Sequence, residues 1–365
     1  MMKTAPAVFA VGNDYQIMVQ LEKESLFWVN INGRNYYDES NGIMNSLSEI
    51  HRVTVPMKVL EAAGSYMVCI KPIIDRKPYF PETADTVETV FEFHKVPDNG
   101  IRAYHISDAH NRIEEPLRAA RAFGDIDILI LNGDVIDHSG DPTKFSNIYE
   151  ICSAITGGSI PVVFSRGNHD MRGRYAERFA DYTPNRFGNT YYTFRLGSIW
   201  GLLVDAGEDK RDDCDEYGCT VACHAFRERQ TDFIESLIEN AEHEYNAPGV
   251  KTRIVIAHHP FMMVHPAPFD IEEELFTRWT ELLANEVKPE LIICGHLHET
   301  EVLHPASEED AGKFLNTEVP CPVVIGAKPG EGYFCGCGFI FNDGGAEVVF
   351  TDSDGKTLSS EHIEY

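Results

Sequence analysis

Five short segments of this sequence carry side chains that hold metal ions or move protons. They are Ser107-Asp108-Ala109-His110, Asn132-Gly133-Asp134, Arg166-Gly167-Asn168-His169-Asp170, His258-His259-Pro260 and Gly295-His296-Leu297-His298. Carboxylates, imidazoles and amides are the donors taken by divalent ions such as zinc, iron and manganese. Two such ions held about 3.5–4 Å apart can polarise the oxygens of an ester and acidify a water. A lone Asp or His after a strand is commonly a cap or a turn former. Five such segments in succession form a metal-centre pattern.

Something must gather them. Each segment follows a short apolar run: Ile101–Ile106, Ile126–Leu131, Ile160–Phe164, Ile254–Ala257 and Leu291–Cys294. A sixth run, Ile199–Val204, leads into none of the five segments. Continuous apolar runs of this length read as strands buried on both faces. Between them, Phe145, Ile148, Ile151, Cys152 and Ile155 recur at helical spacing before Gly157-Gly158, and Phe226, Phe233 and Leu237 mark another helix. Alternating strands and helices predict an α/β domain over 99–365 with a parallel sheet, whose carboxyl ends collect the loops on one edge. From Tyr333 onward the pattern returns to β.

Residues 1–98 read differently. Gln16–Leu21, Leu26–Ile31, Val53–Val59, Tyr66–Ile70 and Thr86–Phe93 are rich in Val, Ile, Tyr, Phe and Thr, with no clear helix. Asn32-Gly33 is a two-residue hairpin signal. A small all-β sandwich of immunoglobulin or fibronectin type is expected, closing at the turn-rich Val96–Gly100. Trp28, Tyr36 and Tyr37 are taken as packing residues, and the sandwich as a buttress. The apolar run Ala5–Val11 makes a poor signal peptide.

Composition bounds the partners. Of 365 residues, 31 are Lys or Arg and 58 are Asp or Glu, a net charge of −27. So acidic a surface offers no groove for a phosphate backbone, and nucleic acid is not an expected partner. It also opposes self-association through simple patches, although a dimer stays open. No run reaches the roughly 20 apolar residues that span a bilayer. Nine cysteines, an odd number scattered along a long chain, argue against a disulfide framework and for the cytoplasm.

The five segments together resemble the calcineurin-like metallophosphoesterase superfamily. Its pattern of Asp-x-His, Gly-Asp, Gly-Asn-His-Asp/Glu, a lone His and Gly-His-x-His is matched throughout from about Ile101 onward. The resemblance implies a four-layer αββα sandwich and hydrolysis of a small phosphomonoester or phosphodiester. It implies one ion held by Asp108, His110 and His298, a second by Asn168, His258 and His296, and Asp134 bridging them. His258 is chosen over His259 because the family's ligand stands two residues before the proline. A hydroxide held by the metals is the implied nucleophile, with His169 as general acid and Asp170 orienting its imidazole. His265 is the rival acid.

An N-terminal β region ahead of such a domain also resembles the purple acid phosphatase arrangement. Those enzymes have Gly where this chain has His110, and Tyr where it has Asp137. A pair of like divalent ions (Mn, Fe, Zn or Co) is therefore expected rather than a tyrosinate-bound ferric site.

Several residues remain around this scheme. Arg166 and Arg172 could clamp phosphate oxygens. The segment 205–224 could form a lid with Tyr217 facing substrate, or hold a structural zinc through Cys214, Cys219, Cys223 and His224. Cys335 and Cys337 are read as thiols on opposite faces of a strand. Alternatives to a small-molecule phosphoesterase are a phosphoprotein phosphatase, or a binding protein built on a catalytically dead domain.

Overall fold

The computed structural model describes residues 1–316 and 318–365. The N-terminal region comprises β1 (Ala7–Val11), β2 (Asp14–Gln20), β3 (Ser25–Ile31), β4 (Arg34–Tyr37), β5 (Ile50–Pro56), helix α1 (Met57–Ala63), β6 (Ser65–Arg76) and β7 (Val87–Glu92). Then come β8 (Ile101–Ile106), α2 (Glu114–Phe123), β9 (Ile128–Asn132), α3 (Asn147–Thr156), β10 (Val162–Ser165), β11 (Tyr192–Leu196) and β12 (Ile199–Val204). These are followed by α4 (Cys223–Glu239), β13 (Thr252–Ala257), α5 (Glu273–Leu282), β14 (Leu291–Cys294), β15 (Thr300–Leu303) and β16 (Val323–Gly326). Three meander strands, β17 (Tyr333–Asn342), β18 (Gly345–Asp352) and β19 (Thr357–Glu364), complete the series.

A long sheet runs β19-β18-β17-β8-β9-β10-β1-β2-β5, and a six-stranded sheet runs β11-β12-β13-β14-β16-β15. β8, β9, β10 and β1 are mutually parallel, as are β12, β13, β14 and β16. Successive side chains of a strand face opposite ways, and here both faces are apolar. Ile128 and Ile130 join one cluster with Ile254 and Ile256 between the sheets. Leu129 and Leu131 turn outward beneath α2 and α3, while Val255 and Ala257 turn outward beneath α4 and α5. The result is the expected αββα layering. α3 stops where Gly157 takes a left-handed φ of 56°, a conformation glycine adopts without penalty.

The N-terminal region is strand-rich as expected, but its strands divide between two sheets. β7-β6-β3-β4 form a separate sheet, with β3 and β4 joined at the predicted Asn32-Gly33 turn. β1, β2 and β5 instead extend the long sheet, where Phe9 pairs in parallel with Val162. All five residues of β1 are buried, so the run weighed as a leader is an interior strand. The expected strand Val53–Val59 ends at Pro56 and continues as α1, which buries Met57 and Leu60. Cys335 and Cys337 point into one and the same core cluster, because residues two apart in a strand share a face. No helix among the described residues is long and apolar enough to cross a membrane.

Candidate metal centre

β8, β9 and β10 of the long sheet and β13 and β14 of the six-stranded sheet deliver the five segments to one edge. Backbone hydrogen bonds stitch the loops together: Asp108 N–H to the Gly133 carbonyl (3.1 Å), His110 N–H to that of Asp134 (2.9 Å), and Gly295 N–H to that of His258 (2.9 Å). The chain can turn this sharply only in unusual conformations. Asp108, His110, Asp134, His296 and His298 all have left-handed φ, between 44° and 70°. Such conformations cost side-chain-bearing residues about 1–3 kcal/mol each and persist where the surroundings dictate them. Gly133 is required for space: a Cβ there would lie 2.6 Å from Gly167 Cα and from His258 Nδ1.

The candidate ligands converge. Donor atoms of Asp108, His110 and His298 lie within 4.8 Å of one another, as do those of Asp108, Asp134 and His258. His110 Nε2 faces His298 Nε2 at 3.1 Å, and Asn168 Oδ1 lies 3.1 Å from His296 Nδ1. His258 donates from Nδ1 to the Asn132 carbonyl at 2.7 Å, which turns Nε2 toward the centre, 3.2 Å from Asp134 Oδ2. The carboxylate common to both groups is Asp108, while the sequence reading assigned the bridge to Asp134.

Charge at this centre calls for cations. Asp108 and Asp134 are fully buried, and among the described residues neither pairs with Lys or Arg. Burial opposes a charged imidazole at His258, but Asp134 and Asp108 outweigh it and raise its pKa to about 10. Burial and the neighbouring His258 lower that of His296 to about 4. The buried His110 Nδ1 has no hydrogen-bond partner, and His258 Nε2 meets only the carboxylates of Asp134 and Asp108. A proton on His258 thus takes the place of positive charge that the carboxylates demand. Carboxylate, imidazole and amide donors with free nitrogens suit divalent metal ions.

Beside the ligands, His169 donates from Nδ1 to the Asp137 carbonyl (2.8 Å), and Arg172 Nη1 approaches its Nε2 at 3.2 Å. Asp170 does not orient this imidazole. Its Oδ2 accepts from the N–H groups of Gly167 (2.9 Å) and Asp134 (3.1 Å), because neighbouring residues of the tight 169–171 turn point apart. Burial, reinforced by Asp134, pushes the Asp170 carboxyl up to about 8. Asp170→Ala would leave two buried N–H groups without acceptors, a cost of about 1–3 kcal/mol for each. Urea denaturation should show that loss even in metal-free protein.

The expected substrate contacts are placed otherwise. Arg172 pairs with Glu208 (2.8 Å) and Asp209 (2.9 Å), which engage its donors, while Arg166 pairs with Asp205 through Nε alone (2.8 Å). Tyr217 is buried and donates to Asp209 (3.0 Å) rather than presenting its face. Arg166, Arg172 and Tyr217 line a cavity of about 640 Å³ together with Arg174 and Glu216. His265 turns Nε2 to the Pro260 carbonyl (3.1 Å), its ring 4.7 Å from that of His259. The four zinc candidates do not assemble: Cys223 is buried, Cys219 is exposed and His224 pairs with Glu272 (2.9 Å). Sequence reasoning marked the segment 205–224 but gave its acids Asp205, Glu208 and Asp209 no role of their own. They follow β12, the strand without an obvious ligand, and only their acidity could have marked them.

The layered fold and the edge of strand-end carboxylates, imidazoles and an amide are those of a metallophosphoesterase-type domain. A family model described as calcineurin-like phosphoesterase matches residues 101–300, and the chain belongs to that family. A probable cyclic nucleotide phosphodiesterase of Rhodopseudomonas palustris is 24% identical over 210 residues, covering 54% of this chain and 66% of that protein, just under two thirds of its length. The fold of the whole chain is similar to that of a purple acid phosphatase from yellow lupin (Lupinus luteus) seeds, with a TM-score of 0.64 at 12% identity over 75% of that structure. A dimetal phosphatase from Danio rerio matches 73% of this chain and all of its own, at TM-score 0.46 and 12% identity.

Proposed function

We propose that this protein hydrolyses small phosphoesters at a pair of divalent ions. Asp108, His110 and His298 would hold the first, Asn168, His258 and His296 the second, and Asp134 would offer its carboxylate to both. One observation supports this reading: the buried Asp108 shares a cluster of donor atoms with His110 and His298 and another with Asp134 and His258, each within 4.8 Å. Manganese, iron, zinc and cobalt all suit these donors. When bound, such ions neutralise charge at phosphoryl oxygens and lower the pKa of a bound water toward ~7.

The chain's own residues supply the rest. His169 keeps a proton on Nδ1 against the Asp137 carbonyl, which leaves Nε2 as the atom that exchanges protons. A leaving-group oxygen taking the place of Arg172 at Nε2 would receive a proton from the imidazolium. His169→Ala is therefore expected to slow an alkyl phosphoester about 100- to 10,000-fold. A p-nitrophenyl ester should suffer far less, since its leaving group departs without a proton. Equal losses on both esters would remove His169 from the acid role.

The Rhodopseudomonas relative is named for cyclic nucleotide diesters, which puts diesters first in testing. Residues 1–98 serve as a buttress, since their strands extend the sheet that carries three of the five loops. Nine free cysteines suit a reducing compartment such as the cytoplasm. The deciding assay is hydrolysis of bis-p-nitrophenyl phosphate, p-nitrophenyl phosphate and a phosphopeptide by manganese-loaded protein, with and without chelator. Turnover abolished by the chelator supports the reading, and the preferred ester names the class. A phosphopeptide preference would shift it to a phosphoprotein phosphatase. Two bound ions with no turnover of any ester would sink it.

A further inference from the structure

The strand that brings no ligand to the centre brings something else. β12 leads through Asp205 to Glu208 and Asp209, all three buried. Asp209 Oδ1 accepts from Arg172 Nη2 (2.9 Å) and from the Tyr217 hydroxyl (3.0 Å), which fixes the carboxylate in place. Its other oxygen, Oδ2, lies 3.4 Å from Asn168 Nδ2. The opposite end of that amide, Oδ1, lies 3.1 Å from His296 Nδ1, on the side of the candidate ligands.

The asymmetry of the amide gives this contact its meaning. Only the oxygen of an Asn side chain ligates a hard or borderline cation, and its NH2 group only donates. A carboxylate only accepts. Asp209 can therefore meet Asn168 through the NH2 group alone, and the oxygen must face the centre. Partners beyond the ligands commonly orient them in this way.

We propose that Asp209 is a positioning residue that fixes the amide of Asn168 with its oxygen toward the second metal ion. This rests on the binuclear reading above. An Asn at 209 can donate or accept, so it would no longer choose between the two faces of Asn168. Arg172 would stay in place, because Glu208 holds it at Nε (3.0 Å) and Nη2 (2.8 Å).

The test is a Co²⁺ titration of metal-free protein, read by visible absorption and calorimetry. Wild type should bind two equivalents. In Asp209→Asn the second should weaken about 10- to 100-fold, with the first unchanged. The exchanged pair, Asn168→Asp with Asp209→Asn, restores one carboxylate and one amide in contact. A carboxylate at 168 ligates through either oxygen, so the double variant should regain the second ion. A purely structural role for Asp209 predicts no such rescue, and the double variant decides even if the single one folds poorly. Wild-type affinity in the single variant, or no recovery in the double, would overturn the assignment. A wild-type chain that binds fewer than two ions would instead overturn the binuclear reading, and this inference with it.

Discussion

Asp134→Asn is expected to reduce phosphoester turnover by at least about a thousandfold, since several kcal/mol of charge stabilisation is at stake. Asp134 Oδ1 accepts the His169 N–H at 2.9 Å, and Oδ2 lies 3.2 Å from His258 Nε2. Asn keeps the shape and one acceptor but removes the charge. Only Asp108 would then face cations gathered at a buried centre. The His258 imidazole should also lose part of its elevated proton affinity, because Asp134 is the main influence raising it. The assay pairs ester hydrolysis with metal stoichiometry on protein whose melting temperature matches wild type. Turnover within tenfold of wild type would remove Asp134 from the centre.

The second large effect comes from a single methyl group. Gly167 has an ordinary backbone conformation, so strain does not demand glycine there; space does. A Cβ at this position would overlap Asp134 Oδ1 and lie 2.5 Å from Asp134 N. Gly167→Ala must displace either the carboxylate or the loop that carries it. The expected outcome is a stability loss of about 1–3 kcal/mol, typical of overpacking, together with loss of the second metal equivalent. Thermal melts of metal-free protein separate the first effect from metal titration of the second. An Ala variant that binds both ions normally would show that the loops yield, and that the close approach of 134 and 167 has no part in metal affinity.

Much of this site could be read in the sequence because its residues are chemically rare after strands. The apolar runs foretold β8, β9, β10, β13 and β14 to within two residues at either end, and the residues after them meet at one edge. The left-handed conformations of Asp108, His110, Asp134, His296 and His298 left no trace, since Asp and His occur in many backbone states. Glu208 and Asp209 were hidden for another reason. In a chain with 58 acidic residues, an acid several positions past a strand looks like solvated surface. Arg166 and Arg172 were recognised as cations of the site, but their carboxylate partners lie 36 or more residues away. β1 escaped because five apolar residues carry no period, and its parallel partner is about 150 residues downstream.

That last pairing sets an order of events during synthesis. β1 leaves the ribosome about 150 residues ahead of β10, its neighbour on one side. Until then β1 can pair with β2 alone, and β2 with β5, which leaves one parallel edge open and apolar. An open edge of this kind is a template for pairing with other chains. The nascent chain is thus exposed to misassembly until β10 has emerged. Pairings across so much intervening chain form slowly, because loop closure must come first. Pulse-labelled hydrogen exchange during refolding should find β1 protected late, together with β10, and β3 and β6 protected earlier.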